Sequence, residues 1–226
     1  MPDYFSHIIT ADKILEKLPF NYKRRIENRY LYLLGAQGGD VFFTYNLKVS
    51  KTNLGRKLHM TDPVVLFDAL KEGNPSYAAG FAAHYALDCT LHPAIYAFEA
   101  GKNNPLAHNV FEGDLGLYIS RKYASPRKIL PKNRVMGATF TVYDSVRKVE
   151  DGITVTGVER CLSRHFIFTR FLYRNKRQTY RYDFDYSSLA GAIEDGIAFG
   201  TDAVCRVLDK KIDENVFSRS FLEKQI

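Results

Sequence analysis

Tryptophan is absent from this 226-residue sequence, and cysteine is scarce, since only Cys89, Cys161 and Cys205 occur. An odd number of widely spaced cysteines does not form a disulfide framework, and the lack of a CxxC pair argues against a thiolate metal site. The three side chains are predicted to be buried free thiols, which fits a protein of a reducing compartment.

Long apolar runs are also missing. No stretch of roughly eighteen apolar residues occurs, so the sequence predicts no membrane-spanning helix. The first residues, MPDYFSHIITADK, lack the basic segment followed by an apolar segment that is typical of a secretory signal. We therefore expect a cytoplasmic location.

Acidic residues are outnumbered by basic ones, with 25 Asp+Glu against 32 Lys+Arg and a net charge of +7. Residues 1–120 contain 12 of each class, whereas residues 121–226 contain 20 basic and 13 acidic side chains. The densest basic segments are 121–134 and 170–182. Such a distribution favours contact with nucleic acid or with anionic lipid headgroups, although it is also typical of an ordinary solvated face.

Helical patterns dominate the chain. The spacing of apolar residues, together with capping residues, prolines and glycines, predicts helices over 11–18, 22–39, 61–73, 75–93, 105–123, 158–173 and 187–209. Pro93 is expected to end the Ala- and Gly-rich helix, and Ser187 or Ser188 to cap the last one. Segments 135–146 and 152–158 are β-branched and typical of strands by propensity alone. The pattern as a whole predicts an all-α fold.

Histidine and carboxylate residues recur at helical spacing in the first half. Five of the six histidines precede residue 109, and two are followed by a carboxylate four residues later, as His84–Asp88 and His108–Glu112. Residues four apart share one face of a helix, and zinc accepts imidazole nitrogen and carboxylate oxygen at about 2.0–2.2 Å. The pairs indicate a metal site. A lone histidine among apolar residues is more often a core residue, which is our interpretation of His165.

The segment HYALDCTLH, residues 84–92, constrains the number of ions. At about 1.5 Å per residue, His84 and His92 lie about 12 Å apart along a helix, too far to bind the same ion. If both histidines and Asp88 bind metal, the site holds more than one ion, and Asp88 lies between them.

Five segments in this order resemble the bacterial zinc-dependent phospholipase C family: MPDYFSH, LLGAQGGDVFF, LGRKLH, AAGFAAHYALDCTLHP and HNVFEGDLG. They are most similar to its intracellular-type members, and the related tri-zinc nucleases share the ligand plan. The resemblance covers residues 1 to about 123. It implies an all-α fold with two to three zinc ions in a cleft and hydrolysis of phosphate diesters.

The resemblance also implies metal ligands at His7, Asp40, His59, His84, Asp88, His92, His108 and Glu112. His59, His84 and Asp88 would hold one zinc ion. His92, His108 and Glu112 would hold a second. His7 would bind a third together with the N-terminal amine, and Asp40 would be the catalytic base or a further ligand. The glycines of GAQGGD are expected to let the backbone turn sharply before Asp40.

The expected organisation is a single compact multi-helix domain over 1–226, with a metal-site half at 1–123 and a basic half at 124–226. The expected function is hydrolysis of a phosphodiester, such as a phospholipid headgroup, by a phospholipase C-like enzyme. The basic half would contact an anionic membrane or nucleic acid. Two alternatives stay open: a zinc-dependent nuclease, and a non-catalytic helical protein with structural zinc, whose ions would be closed by four protein ligands.

Overall fold

The computed structural model of the chain describes residues 3–45, 53–104 and 106–221. Within these ranges the protein contains helices and no strand, which confirms the predicted all-α fold. The α-helices are α1 (Tyr4–Lys17), α2 (Phe20–Lys23), α3 (Arg29–Gly35), α4 (Leu54–Met60), α5 (Pro63–Leu70), α6 (Pro75–Ala100), α7 (Ala107–Lys122), α8 (Lys132–Gly137), α9 (Thr139–Val146), α10 (Val155–Arg174), α11 (Ala190–Leu208) and α12 (Glu214–Phe217). Two 3₁₀ helices span Gly38–Thr44 and Tyr186–Leu189.

The longest helix, α6, is the centre of the fold. Its 26 residues extend over about 39 Å, and nearly every side chain between Ser76 and His92 is buried. α11 packs along α6, α3 crosses it, and α1 and α7 lie against it as well. Because α11 comes from the basic half of the chain, the hydrophobic core joins both halves.

Two glycines allow α3 and α6 to touch through their backbones. A Cβ atom on Gly80 would lie 1.9 Å from the carbonyl oxygen of Tyr32, and one on Gly35 would lie 2.2 Å from that of Tyr77. A backbone carbonyl inside a helix cannot rotate away, so a larger residue would force the helices apart. The crossing holds the 3₁₀ helix Gly38–Thr44, which follows α3, against the middle of α6.

The prediction of one helix within 22–39 that ends at Gly35 is confirmed at its end but wrong about its continuity. The chain leaves α2 after Lys23, and α3 begins with a new N-cap at Asn28, whose side chain accepts a hydrogen bond from the backbone N–H of Leu31 (3.0 Å). An asparagine that caps its own helix favours a fresh start over a continued one. The first helix, predicted over 11–18, in fact begins at Tyr4, because Asp3 caps it.

Pro93 does not end α6, contrary to the prediction, and the helix continues to Ala100. A proline inside a helix removes one backbone hydrogen bond at a cost of about 3 kcal/mol. The turns beyond it still bury Ile95 and stack Phe98 on Phe111 of α7, with ring centroids 4.2 Å apart. Packing against α7 therefore offsets the local cost.

The β-branched segment 135–158 is helical in α8, α9 and the start of α10. Val135, Val142 and Val146 all face the core, and the four-residue spacing of the last two matches a helix rather than a strand. Packing has overridden intrinsic propensity here. The cap predicted at Ser187 or Ser188 was also wrong, because the Asp185 side chain accepts from the Ser187 N–H and the 3₁₀ turn precedes α11.

No described helix combines the length and the apolarity needed to cross a bilayer. The cysteines form no disulfide among the described residues. Cys89 and Cys161 are buried as predicted, whereas Cys205 is only half-buried.

Replacement of Gly80 by alanine is expected to cost more than about 3 kcal/mol of folding free energy, because the added methyl group meets backbone atoms of α3. Gly191→Ala is the matched control, since nothing lies within 4 Å of a Cβ there. It should stabilise α11 by about 0.5–1 kcal/mol. Urea unfolding of both variants measures the difference, and equal stability for the two would contradict the close crossing.

Candidate metal centre

All eight side chains implied by the resemblance lie together in three groups. Within each group the ligand atoms all lie within 4.8 Å of one another. The groups are His7, Asp40 and His84; His59, His84 and Asp88; and His92, His108 and Glu112. These residues come from α1, α4, α6, α7 and the 3₁₀ helix Gly38–Thr44, so the site exists only in the assembled fold.

The group around Asp88 has the spacing of ligands that surround one ion. The Nε2 atom of His84 lies 3.1 Å from Oδ2 of Asp88 and 3.2 Å from Nε2 of His59. The same carboxylate oxygen lies 3.7 Å from Nε2 of His59. Atoms that each bind a tetrahedral zinc at about 2.0–2.2 Å are separated by about 3.4 Å, so these three side chains match one ion with little rearrangement.

Asp88 also faces a second group through its other oxygen. Its Oδ1 atom lies 3.4 Å from Nε2 of His7, and Oδ1 of Asp40 lies 3.4 Å from Nε2 of His59. A carboxylate whose two oxygens face different histidines is placed to bridge two ions. The N-terminal amine, expected to share an ion with His7, lies outside the described residues.

The third group lies about one helical turn beyond Asp88 along α6. His108 Nε2 is 2.7 Å from Oε1 of Glu112, and His92 Nε2 is 4.0 Å from the same oxygen. His84 and His92 therefore fall in different groups, as their rise along α6 requires. A cavity of about 10 Å³ between the groups is bordered by His7, Asp88, His92 and Glu112, which is the space of about one water molecule.

Three of the histidines are held by a hydrogen bond at Nδ1, the ring nitrogen that faces away from the site. In each case Nδ1 is within hydrogen-bond distance of an oxygen acceptor, to which its N–H donates, and Nε2 is turned toward a carboxylate of the site. The bonds run from His59 to the carbonyl of Gly55 (2.7 Å), from His92 to the carbonyl of Phe221 (2.8 Å) and from His108 to the carboxylate of Glu99 (3.0 Å). Metal-binding histidines almost always have such a partner.

Phe221 is a site residue that sequence reasoning missed. Its carbonyl fixes His92, and its ring packs against His59 and His84 at centroid distances of 5.4 and 6.1 Å. The hydroxyl of Tyr85 donates to the carbonyl of Arg219 (2.8 Å), which holds this C-terminal segment on α6. The resemblance ends near residue 123, and no pattern in the sequence links Phe221 to the histidines.

Burial and neighbouring charges act on the protonation of the histidines in opposite directions. Burial lowers the pKa of His59 to about 4 and that of His7 well below its usual range, with nearby histidines adding to the effect. Burial alone would lower the pKa of His84 and raise that of Asp88, but the attraction between the two groups raises the pKa of His84 and lowers that of Asp88 well below the usual carboxyl range. His7 and His59 are therefore neutral, which is the form of imidazole that binds a metal ion, and Asp88 is an ionised carboxylate.

The donor set fits a bound cation. Neither ring nitrogen of His7 makes a hydrogen bond within the described chain, and neither does Oδ1 of Asp40, although all are buried. Buried polar atoms without partners are costly and are rarely retained without a role. The turn before Asp40 leaves no room for other side chains, because a Cβ on Gly38, whose φ is +50°, would lie 2.0 Å from the His84 ring.

A larger cleft of about 160 Å³ opens beside Asp40. Its wall combines the carboxylates of Asp3 and Asp40 with basic side chains from the second half and with apolar residues of α1 and α10. The basic residues are Arg127, Lys176 and Arg177, and the apolar residues include Phe5, Phe168 and Leu172. The cleft therefore places basic and apolar side chains next to Asp40.

Asp3 is a second residue that sequence reasoning missed. It caps α1 and borders both the small cavity and the cleft, and although its side chain is only half-buried, loss of hydration raises its pKa to about 7. A single aspartate before a helix carries no spacing signal beyond capping. His165 is buried, as a core residue would be, but it lies on the wall of the cleft.

Comparisons of this chain with protein-family models, with curated proteins and with solved structures find no match. The geometry of the site and the resemblance of the sequence are thus the basis for a functional assignment.

Burial lowers the pKa of His165 from 6.5 to about 4. Between these values the unfolded chain binds a proton that the folded chain does not, so the folded state loses stability as the pH falls. The loss is absent above about pH 6.5 and reaches about 3 kcal/mol near pH 4. His165→Gln should remove this component, which urea unfolding from pH 8 to pH 4 would measure.

The other histidines titrate equally in both proteins, so the comparison isolates His165. The two stability curves should run parallel above pH 7 and converge or cross below it. Curves that stay parallel down to pH 4 would show that His165 is not held neutral.

Proposed function

We propose that this protein is a zinc-dependent phosphodiesterase of the phospholipase C type, with two to three zinc ions in the three ligand groups. The observation that carries the proposal is the tethering of His59, His92 and His108 through Nδ1, which turns three Nε2 atoms toward buried carboxylates. Hydrogen bonds of this kind orient metal ligands.

The chemistry of the donors supports zinc. Imidazole nitrogen and carboxylate oxygen are zinc ligands, and no cysteine belongs to any group. Among the described residues each group has three side chains, with His84 shared by two groups, whereas a structural zinc ion is closed by four protein ligands. This difference favours catalysis over the structural alternative. A zinc ion with an open position lowers the pKa of its bound water to about 7, which supplies hydroxide at neutral pH.

Asp40 is assigned as the catalytic base or as a further ligand. It lies on the wall of the cleft and within 3.4 Å of His59, so it can accept a proton from a molecule between the cleft and the ligand groups. Burial raises the pKa of the carboxyl group to about 7, and neighbouring cations would keep it ionised. The ionised carboxylate is the form that accepts a proton.

The cleft supports a phosphodiester as the substrate. Arg127 and Arg177 are linked by a hydrogen bond from the Arg127 guanidinium to the carbonyl of Arg177, and both side chains border the cleft with Lys176. Guanidinium groups bind phosphate oxygens through charge-assisted hydrogen bonds. We infer a phospholipid headgroup rather than a nucleic acid, because Phe5, Phe168 and Leu172 place apolar surface beside the basic side chains. The cysteines without disulfides support a cytoplasmic location.

Metal content and hydrolysis test the proposal together. The purified protein is expected to bind two to three zinc ions, since two of the three ligand groups share His84, and to hydrolyse a soluble diester. Asp40→Asn should lower kcat by about 10²–10³-fold, because the carboxylate can no longer take a proton. Asp68→Asn is the matched control, since Asp68 is exposed on α5 and should have no effect.

A protein that stays metal-free after addition of zinc would contradict the proposal. Faster cleavage of a single-stranded oligonucleotide than of a phospholipid would favour the nuclease alternative.

Phe221→Ala tests whether the C-terminal segment supports the metal site. The change keeps the carbonyl that His92 uses but removes the ring that packs on His59, so the affinity for zinc should fall by about 10–100-fold. Phe67→Ala is the control, because Phe67 is as deeply buried and packs on Phe81 and Tyr85 rather than on a ligand.

Both variants should lose about 3–5 kcal/mol of stability. Competition with a chromophoric chelator measures the affinities, and equal losses of affinity in the two would contradict the role of Phe221.

A further inference from the structure

An apolar patch is exposed on the C-terminal half of α10. Ile167, Phe168 and Phe171 are 64%, 43% and 60% exposed, although α10 packs its opposite face against the core. Their spacing of three and four residues puts Ile167 and Phe168 next to Phe171 on one side of the helix. Contiguous large apolar side chains on a surface are typical of an interaction site.

Arginines without acidic partners accompany this α10 patch. Arg160, Arg170 and Arg174 are exposed on the same helix, and among the described residues none of them has an ion-pair or hydrogen-bond partner. By contrast, Arg147 and Arg206 pair with aspartates on their own helices. The positive charge beside the patch is therefore free to act on an external partner.

The α10 patch lies at the mouth of the cleft. Phe168 belongs both to the patch and to the cleft wall, and Leu172, one turn further on, lines the same wall. Lys176 follows at the end of α10, where its ammonium group sits 3.8 Å from the centre of the Tyr173 ring. A surface bound to the patch would face the cleft opening.

We propose that the α10 patch docks this protein onto an anionic phospholipid bilayer. Ile167 and Phe171 enter the boundary between headgroups and acyl chains, while Arg170 and Arg174 bind lipid phosphates. Apolar side chains beside basic ones, on one surface helix, are the composition of helices that lie in such an interface. Docking does not require the metal chemistry, and it extends the proposed function by placing the cleft over headgroups.

Two other occupants fit the patch less well. Ile167, its most exposed member, cannot stack on a nucleic acid base, whereas single-strand binding uses aromatic rings along a groove. A second copy of the chain in a two-fold dimer would bring the same unpaired arginines against each other. An anionic bilayer satisfies both the apolar and the basic side chains.

Vesicle flotation with the full chain tests the docking. The protein is mixed with vesicles of phosphatidylcholine alone or of phosphatidylcholine with phosphatidylserine. We expect binding to the anionic vesicles that weakens with added salt, and far less binding to phosphatidylcholine. The variants Ile167→Ser/Phe171→Ser and Arg170→Gln/Arg174→Gln should each lower partitioning by about tenfold.

The matched control is Phe20→Ser/Arg24→Gln. Phe20 is 73% exposed, with the Arg24 guanidinium 5.7 Å from its ring centre, so the double change removes an equivalent pair from α2. It should leave vesicle binding unchanged. Three outcomes overturn the proposal. The wild type does not bind vesicles at low salt, or the patch and control variants bind vesicles equally well. The third is that the patch variants lose binding to a single-stranded oligonucleotide but keep their binding to vesicles.

Hydrolysis of bis(p-nitrophenyl) phosphate, a soluble diester, separates docking from catalysis. The patch variants should hydrolyse it at the wild-type rate, which also shows that they are folded. Patch-dependent vesicle binding without hydrolysis by any of the proteins would leave docking in place and refute the proposed function. Hydrolysis without vesicle binding would refute docking alone.

Discussion

The burial of Asp88 in the middle of α6 is the constraint on which the rest of the structure depends. Its carboxylate is 2% exposed, and taking one ionised group out of water costs several kcal/mol unless opposite charge or hydrogen bonds offset it. The partners come from separate parts of the chain: His84 from the same helix, His7 from α1 and His59 from α4. Folding these helices around α6 is thus also the assembly of the ligand groups.

Close packing is what lets so many polar groups reach one place. Gly35 and Gly80 bring α3 into backbone contact with α6, and Gly38 lets the following turn lie against the His84 ring, so Asp40 reaches the site from a separate element. A site built on packed helices has little freedom to adjust, and its Nδ1 hydrogen bonds remove most of the remaining rotation of the rings. Rigidity of this kind suits ligands that must match bond lengths of about 2 Å.

The all-α class and the periodic ligand pairs could be predicted because both depend on local spacing. His84 and Asp88 share a helix face whatever the rest of the chain does, and the rise of the helix separates His84 from His92. The contributions of Phe221 and Asp3 could not be predicted, since they depend on which distant segments the fold brings to α6. The predicted helix boundaries were wrong for a related reason. Tertiary packing, rather than local preference, decides the conformation at Pro93 and at the valines of α9.

The basic side chains of the second half lie in different environments, which the net charge alone does not show. Asp114, fully buried on α7, accepts hydrogen bonds from the backbone N–H groups of Arg181 and Tyr182 and from the Tyr186 hydroxyl. This carboxylate from the first half fixes the segment that carries Arg177, so the cleft wall is held by a contact between the two halves. Arg170 and Arg174 face outward from α10 instead. The cleft arginines are therefore held by contacts within the fold, while Arg170 and Arg174 are exposed and free to contact an external partner.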